Sequence, residues 1–154
     1  MTVTIAEEHP LTLDLSLLFE RHSADMHADT PPESIHMMDK GALAAPGIRF
    51  FVLRDAGAPL AMGAYKRIDA THAEIKSMHV LSEARGRGLS KAMLEHLVSE
   101  AAKDGFTRLS LETGVQPTFV AARALYERAG FAVCPPFEGY WDDPNSVFMT
   151  KVLA

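Results

Sequence analysis

A single cysteine, Cys134, excludes an internal disulfide, and so sparing a use of cysteine is expected of a cytoplasmic protein. No apolar run approaches the roughly 20 residues that cross a bilayer. The stretch Met1 to Glu8 lacks the basic residues of a secretory signal, so no membrane partner is expected. Positive charge is also in short supply. A net charge of −5 gives no whole-chain field that would favour nucleic acid. Seven histidines are scattered without a His-x-x-x-His pair on a secure helix, and His22 and His27 stand five apart; no metal site is expected. Internal repeats, low-complexity tracts and linkers are missing as well. What remains is an ordinary globular composition, 47% hydrophobic and 23% charged over 154 residues, consistent with one domain spanning 1–154 and a substantial core.

The hydrophobic pattern changes period along the chain. Val3 to Ile5 reads as a short strand. Leu11 to Ala28 reads as a helix, because Leu15, Leu18, Phe19 and His22 continue at helical spacing past the alternating leucines. Between Pro31-Pro32 and Pro46-Gly47 a short helix, Pro32 to Ala45, is predicted. Ile48 to Arg54, Pro59 to Ile68 and Ala73 to Leu81 follow as three strands joined by short turns, an antiparallel meander. Leu89, Met93, Leu94, Leu97, Val98 and Ala101 then form one apolar stripe of a helix closed by Gly105. Thr107 to Thr113 alternates as a strand, and Pro117 opens a second amphipathic helix closed by Gly130. Phe131 to Val133 and Val147 to Lys151 are the last strands, separated by a proline-containing loop, Cys134 to Ser146. The expectation is an α+β (mixed α/β) fold with one strand–helix–strand crossover.

The most informative segment is Arg85-Gly86-Arg87-Gly88-Leu89-Ser90, which joins a strand to a helix. A glycine-bearing turn opening into a helix presents unpaired N–H groups and the positive end of the helix dipole, a seat for phosphate or pyrophosphate. It has neither the Gly-x-x-x-x-Gly-Lys-Ser/Thr pattern of nucleoside triphosphatases nor Gly-x-Gly-x-x-Gly, since Lys91 stands where the third glycine would be. It does match Arg-x-x-Gly-x-Gly/Ala, with Ser90 in the last place. Glu74-Ile75-Lys76-Ser77-Met78-His79-Val80 precedes it and Ala124-Leu125-Tyr126-Glu127-Arg128-Ala129-Gly130-Phe131 follows. With these three blocks the chain resembles the GCN5-related N-acetyltransferase (GNAT) superfamily.

That resemblance implies a central mixed, mostly antiparallel sheet of six to seven strands flanked by about four helices. It implies an acetyl-CoA-dependent N-acetyltransferase that passes acetyl directly to a primary amine of a small molecule, amino acid or peptide. The alternative is a non-catalytic acyl-CoA sensor on the same fold. Backbone amides of Arg87, Gly88, Leu89 and Ser90 would hold the pyrophosphate, with Arg85 and Gly86 opening the loop. The strand end Met78-His79-Val80 would splay from its neighbour and pair with the pantetheine arm, an N–H of Met78 or His79 polarising the thioester carbonyl. Many relatives carry Asn seven residues before the tyrosine, where this chain has Phe119 and offers apolar packing to the coenzyme instead. Relatives are often dimers, so a homodimer is a candidate assembly.

Within that frame Tyr126 is the candidate general acid for the departing thiolate, and otherwise a core tyrosine. Glu74 is the first-choice base, and otherwise the ion-pair partner of Lys76. Glu112 is the other carboxylate to test. His79 has the more suitable ordinary pKa, but its strand parity is opposite to that of Glu74 and turns it away from the acceptor. His36 is a candidate for the acceptor pocket. Lys91 reads as a solvated helix lysine, and Cys134 as a buried, inert thiol. The late loop Phe137 to Ser146, with Tyr140, Trp141 and three carboxylates, is either a wall of the acceptor pocket, or an aromatic staple holding the C-terminal strand or a dimer contact. The acidic surface leans toward a cationic amine.

Overall fold

The computed structural model describes residues 3–153. Seven strands form one sheet: β1 (Val3–Glu7), β2 (Ile48–Asp55), β3 (Ala58–Arg67), β4 (His72–Val80), β5 (Arg108–Gly114), β6 (Ala132–Cys134) and β7 (Ser146–Val152). Three α-helices accompany them: α1 (Ser16–Asp29), α2 (Leu89–Lys103) and α3 (Val120–Arg128). The sheet order is β1-β2-β3-β4-β5-β7-β6, with every pairing antiparallel except β4 with β5. The turn between β2 and β3 places Ala56 at φ 51° and Gly57 at φ 88°, the left-handed pair that matches a hairpin's twist.

Two expectations fail, both before β2. The helix predicted over 32–45 is two single 3-10 turns, Pro32–Ser34 and Ala42–Ala44. Its polar groups are claimed by tertiary partners: Ser34 Oγ donates to Asp143, and the His36 carbonyl accepts from Lys76 Nζ. Helix count therefore falls from four to three. Helix α1 also begins later than predicted, at Ser16, because Asp14 in the preceding 3-10 turn is pinned to Arg54. Leu11 and Leu13 are left exposed.

The sheet buries both faces. On one, Phe51, Leu53, Ala61, Tyr65 and Ile75 pack against Met93, Leu94 and Leu97 of α2, and against Tyr126 of α3. On the other, Phe50, Val52, Met62 and Ala64 meet Leu15 just before α1, Leu18 in its first turn, and Leu43. A fully buried leucine of this kind contributes about 1.5–3 kcal/mol. Gly63 sets the spacing of α2, since a Cβ there would stand 3.0 Å from both Leu97 and Met93.

The sheet divides between β4 and β5. Their parallel ladder holds only at His72↔Arg108, Ala73↔Leu109 and Glu74↔Ser110. Beyond it β4 stays with β3 while β5 stays with β7 along its whole length, Arg108↔Val152 to Gly114↔Ser146. The β3–β4 register shifts between Met62 and Ala64, where Ser77 adopts φ 58°. This is a β-bulge, which adds twist and bends its strand. The strands thus open a wedge directly before the Arg85–Ser90 turn.

Candidate active site

The turn is shaped by two glycines, Gly86 at φ 83° and Gly88 at φ 76°, the latter capping α2. A Cβ at either would meet nothing within 4 Å, so the backbone conformation itself calls for glycine. Among the described residues, nothing accepts from the N–H groups of Gly86, Arg87, Gly88, Leu89 or Ser90. That row of free donors at the start of a 15-residue helix fits a pyrophosphate. The arginine side chains are held elsewhere, Arg85 on Asp25 at 3.1 Å and Arg87 on Asp55 at 2.6 Å. Lys91 reaches toward Glu95 on its own helix.

From this turn a cleft of about 1030 Å³ runs through the wedge and reaches Glu74, Glu112, His36 and Tyr140 on the far side. Leu81 N–H bonds the Leu60 carbonyl and Val80 stands opposite Ala61. By the alternation of an antiparallel ladder, the N–H of Val80 faces the wedge and that of His79 faces β3, while Met78 stands beside Ser77 in the bulge. Phe119 lines the cleft, packed so closely over β5 that a Cβ at Gly114 would collide with its ring.

Tyr126 projects from α3 into the cleft, its ring edge-on to Phe131. Burial, with Glu112 nearby, pushes its phenol up to about 12. Its hydroxyl bonds no other described residue, and with that pKa it keeps its proton near neutrality. The two carboxylates differ. Glu74 is buried, and one of its oxygens, Oε2, takes two partners, accepting from Tyr140 Oη at 2.5 Å and pairing with Lys76 Nζ at 3.2 Å. Glu112 accepts only from Ser146 Oγ, at 2.7 Å. Burial pushes its carboxyl up to about 7, with Lys76 opposing the rise and Glu74 adding to it. Burial and the Glu74 charge also hold the Tyr140 phenol well above its ordinary range.

The bulge overturns one expectation. Lys76 pairs with Ala64 and His79 with Met62, so the extra residue brings His79 onto the same face as Glu74 and Lys76. It lies edge-on to His22 at 5.4 Å, with Nδ1 3.9 Å from Asp25. Burial lowers the pKa of His79 and depresses His22 to about 4, which leaves both rings neutral at pH 7.

The late loop packs as a staple, and its Tyr140 lines the cleft. His36 lies edge-on to Tyr140 and to Trp141, each at 4.9 Å. Ser34 Oγ donates to Asp143 at 2.5 Å and Asn145 Nδ2 donates to Ser34 at 3.4 Å. The sequence offered no sign of Ser146 as the partner of Glu112. Tyr140 stood in a loop already singled out, but its bond to Glu74 crosses 66 positions. Cys134 is half-buried on β6 rather than buried; burial raises its thiol pKa, which keeps it unreactive.

Comparison with known proteins places these features. The model of the acetyltransferase (GNAT) family matches residues 15–131. The chain is 44% identical over 136 residues to YsnE of Bacillus subtilis, described as an uncharacterized N-acetyltransferase, covering 88% of this chain and 90% of that one. It is 40% identical to the IAA acetyltransferase of Azospirillum brasilense, covering 98% of each. The structure of yncA from Salmonella typhimurium with its cofactor acetyl-CoA shares the fold at a TM-score of 0.71 and 20% identity, covering 100% of this chain and 95% of that one.

Proposed function

The chain belongs to the acetyltransferase (GNAT) family and is an acetyltransferase, and from that premise we propose that it passes acetyl from acetyl-CoA directly to a primary amine. The observation that carries this reading is the continuity of one cleft from the free amides of the Arg85–Ser90 turn to the wedge beside Tyr126 and Glu112. Acetyl-CoA, as donor substrate, supplies a thioester whose thiol is the leaving group.

In this reading the amides of Arg87, Gly88, Leu89 and Ser90 hold the pyrophosphate. The strand end Met78 to Val80 pairs with the pantetheine arm, and the Met78 N–H polarises the thioester carbonyl. Phe119 packs against the coenzyme. Glu112 takes the proton of the incoming amine: it has an oxygen free of protein partners, and its pKa of about 7 suits a base near neutrality. Glu74, the base favoured by sequence, serves instead as the fixed counter-charge that locks Lys76 and Tyr140. Tyr126 gives its proton to the departing sulfur.

Coenzyme release from acetyl-CoA, followed across a panel of primary amines for the wild type and Tyr126→Phe, tests this directly. The wild type should turn over at least one amine. Tyr126→Phe should lower kcat by about 10²-fold or more while isothermal titration gives the wild-type affinity for desulfo-CoA. No release with any amine, or full kcat in Tyr126→Phe, contradicts the scheme.

A further inference from the structure

Met26 and Met37 are half-buried and line the cleft, and among the described residues they belong to neither hydrophobic core. Met38, the next residue, packs instead against the core that faces α1. Met26 follows His22 by four positions on α1, so both project from one face of that helix. Two thioether side chains that no core covers are left to meet what occupies the cleft.

Four rings stand along the same cleft. His22 and His79 form one edge-on pair at 5.4 Å, and His36 and Tyr140 another at 4.9 Å. Burial lowers the pKa of all three imidazoles, so these rings are uncharged at pH 7. The nearby charges come in opposite pairs, Asp25 with Arg85 at 3.1 Å and Glu74 with Lys76 at 3.2 Å. A smaller cavity of about 280 Å³ beside the cleft is balanced too, lined by Lys66 and Lys76 and by Glu74 and Glu138. Glu112 is already assigned to the reacting amine. The rest of the acceptor therefore meets rings and thioethers with no net charge.

We propose that the acceptor is an aromatic amine, whose ring Met26 and Met37 hold against the His22–His79 and His36–Tyr140 pairs. This rests on the acetyl-transfer reading above. The six residues come from α1, the segment before β2, β4 and the late loop, and none from α2 or α3. A polarisable thioether adds favourable contact with an aromatic ring, and ring pairs gain beyond the area they bury. An aromatic acceptor is thus favoured over an aliphatic one of equal size. A second charged group on the acceptor finds no net opposite charge there.

The test compares kcat/KM for phenethylamine, cyclohexylethylamine, propylamine and putrescine. Phenethylamine should exceed propylamine and putrescine by about tenfold or more, the worth of burying a ring. It should exceed cyclohexylethylamine by about twofold or more. The gain should appear chiefly in KM. Met26→Ala and Met37→Ala should each raise KM for phenethylamine by about threefold or more, whereas Met26→Leu and Met37→Leu should retain the preference over propylamine. Isothermal titration should give the wild-type affinity for desulfo-CoA in all four variants. Amines turned over with no preference for the aromatic ring, an unchanged KM when both methionines are alanine, or variants that lose desulfo-CoA affinity overturn the assignment and leave acetyl transfer standing. No turnover of any amine overturns acetyl transfer itself and this assignment with it.

Discussion

Glu112 holds its carboxyl at about 7 because burial outweighs the help of Ser146 and Lys76. A carboxyl whose folded pKa exceeds its ordinary 4.5 binds its proton more tightly in the native state, so stability falls as pH rises from about 4.5 through 7. The cost at pH 8 is on the order of 3 kcal/mol. Glu112→Gln should therefore raise Tm more at pH 8 than at pH 5, where only about 1 kcal/mol of that cost has accrued. It should also lower kcat and abolish the ascending limb near pH 7 in the wild-type profile. A thermal scan at the two pH values and a kcat–pH profile check both outcomes. A Tm gain without loss of activity would show that Glu112 is only a buried carboxyl. At this scale the sequence was partly legible: the Glu74, Tyr126 and turn residues stand in contiguous blocks whose spacing carries meaning. Which partners each carboxylate takes was not legible, because Tyr140 and Ser146 reach theirs from distant positions.

Among the elements, β4 decides the site. Its bulge at Ser77 both opens the wedge and brings His79 to the face of Glu74 and Lys76. Strict period-2 reading fails here, since one extra residue reverses the parity of everything after it. A left-handed residue is hard to see in sequence unless it is glycine, and Ser77 carried no such mark. Its side chain pays a steric cost that a β-branched residue pays more heavily. Ser77→Val should cost about 1–2 kcal/mol of stability and weaken coenzyme binding, whereas Ser77→Gly should retain both, as read by thermal denaturation and desulfo-CoA titration. Equal behaviour of the two variants would remove the bulge from the account. The helices α2 and α3, by contrast, followed from apolar stripes and glycine stops, local signals that tertiary contacts did not override. The segment 32–45 lacked such a stripe, and its backbone was recruited by the late loop and Lys76.

On the scale of the whole molecule, the sheet works as two half-sheets, β1 to β4 and β5 to β7, joined by a three-residue ladder. The α2 and α3 face carries the main core. The late loop is stapled over the other face by Ser34–Asp143 and His36–Trp141. Among the described residues no helix is long and apolar enough to cross a membrane. The element order was readable from periodicity because each strand and helix keeps its own pattern. The split was not, because it depends on where a ladder stops. Its consequence is that one ligand bridges both halves, from the Arg85–Ser90 turn to the wedge. Amide hydrogen exchange with and without coenzyme A measures this most directly. The account predicts new protection at 86–90 together with Met78 and Val80, in one concentration-dependent transition. Protection confined to the turn, or falling outside both segments, would contradict it.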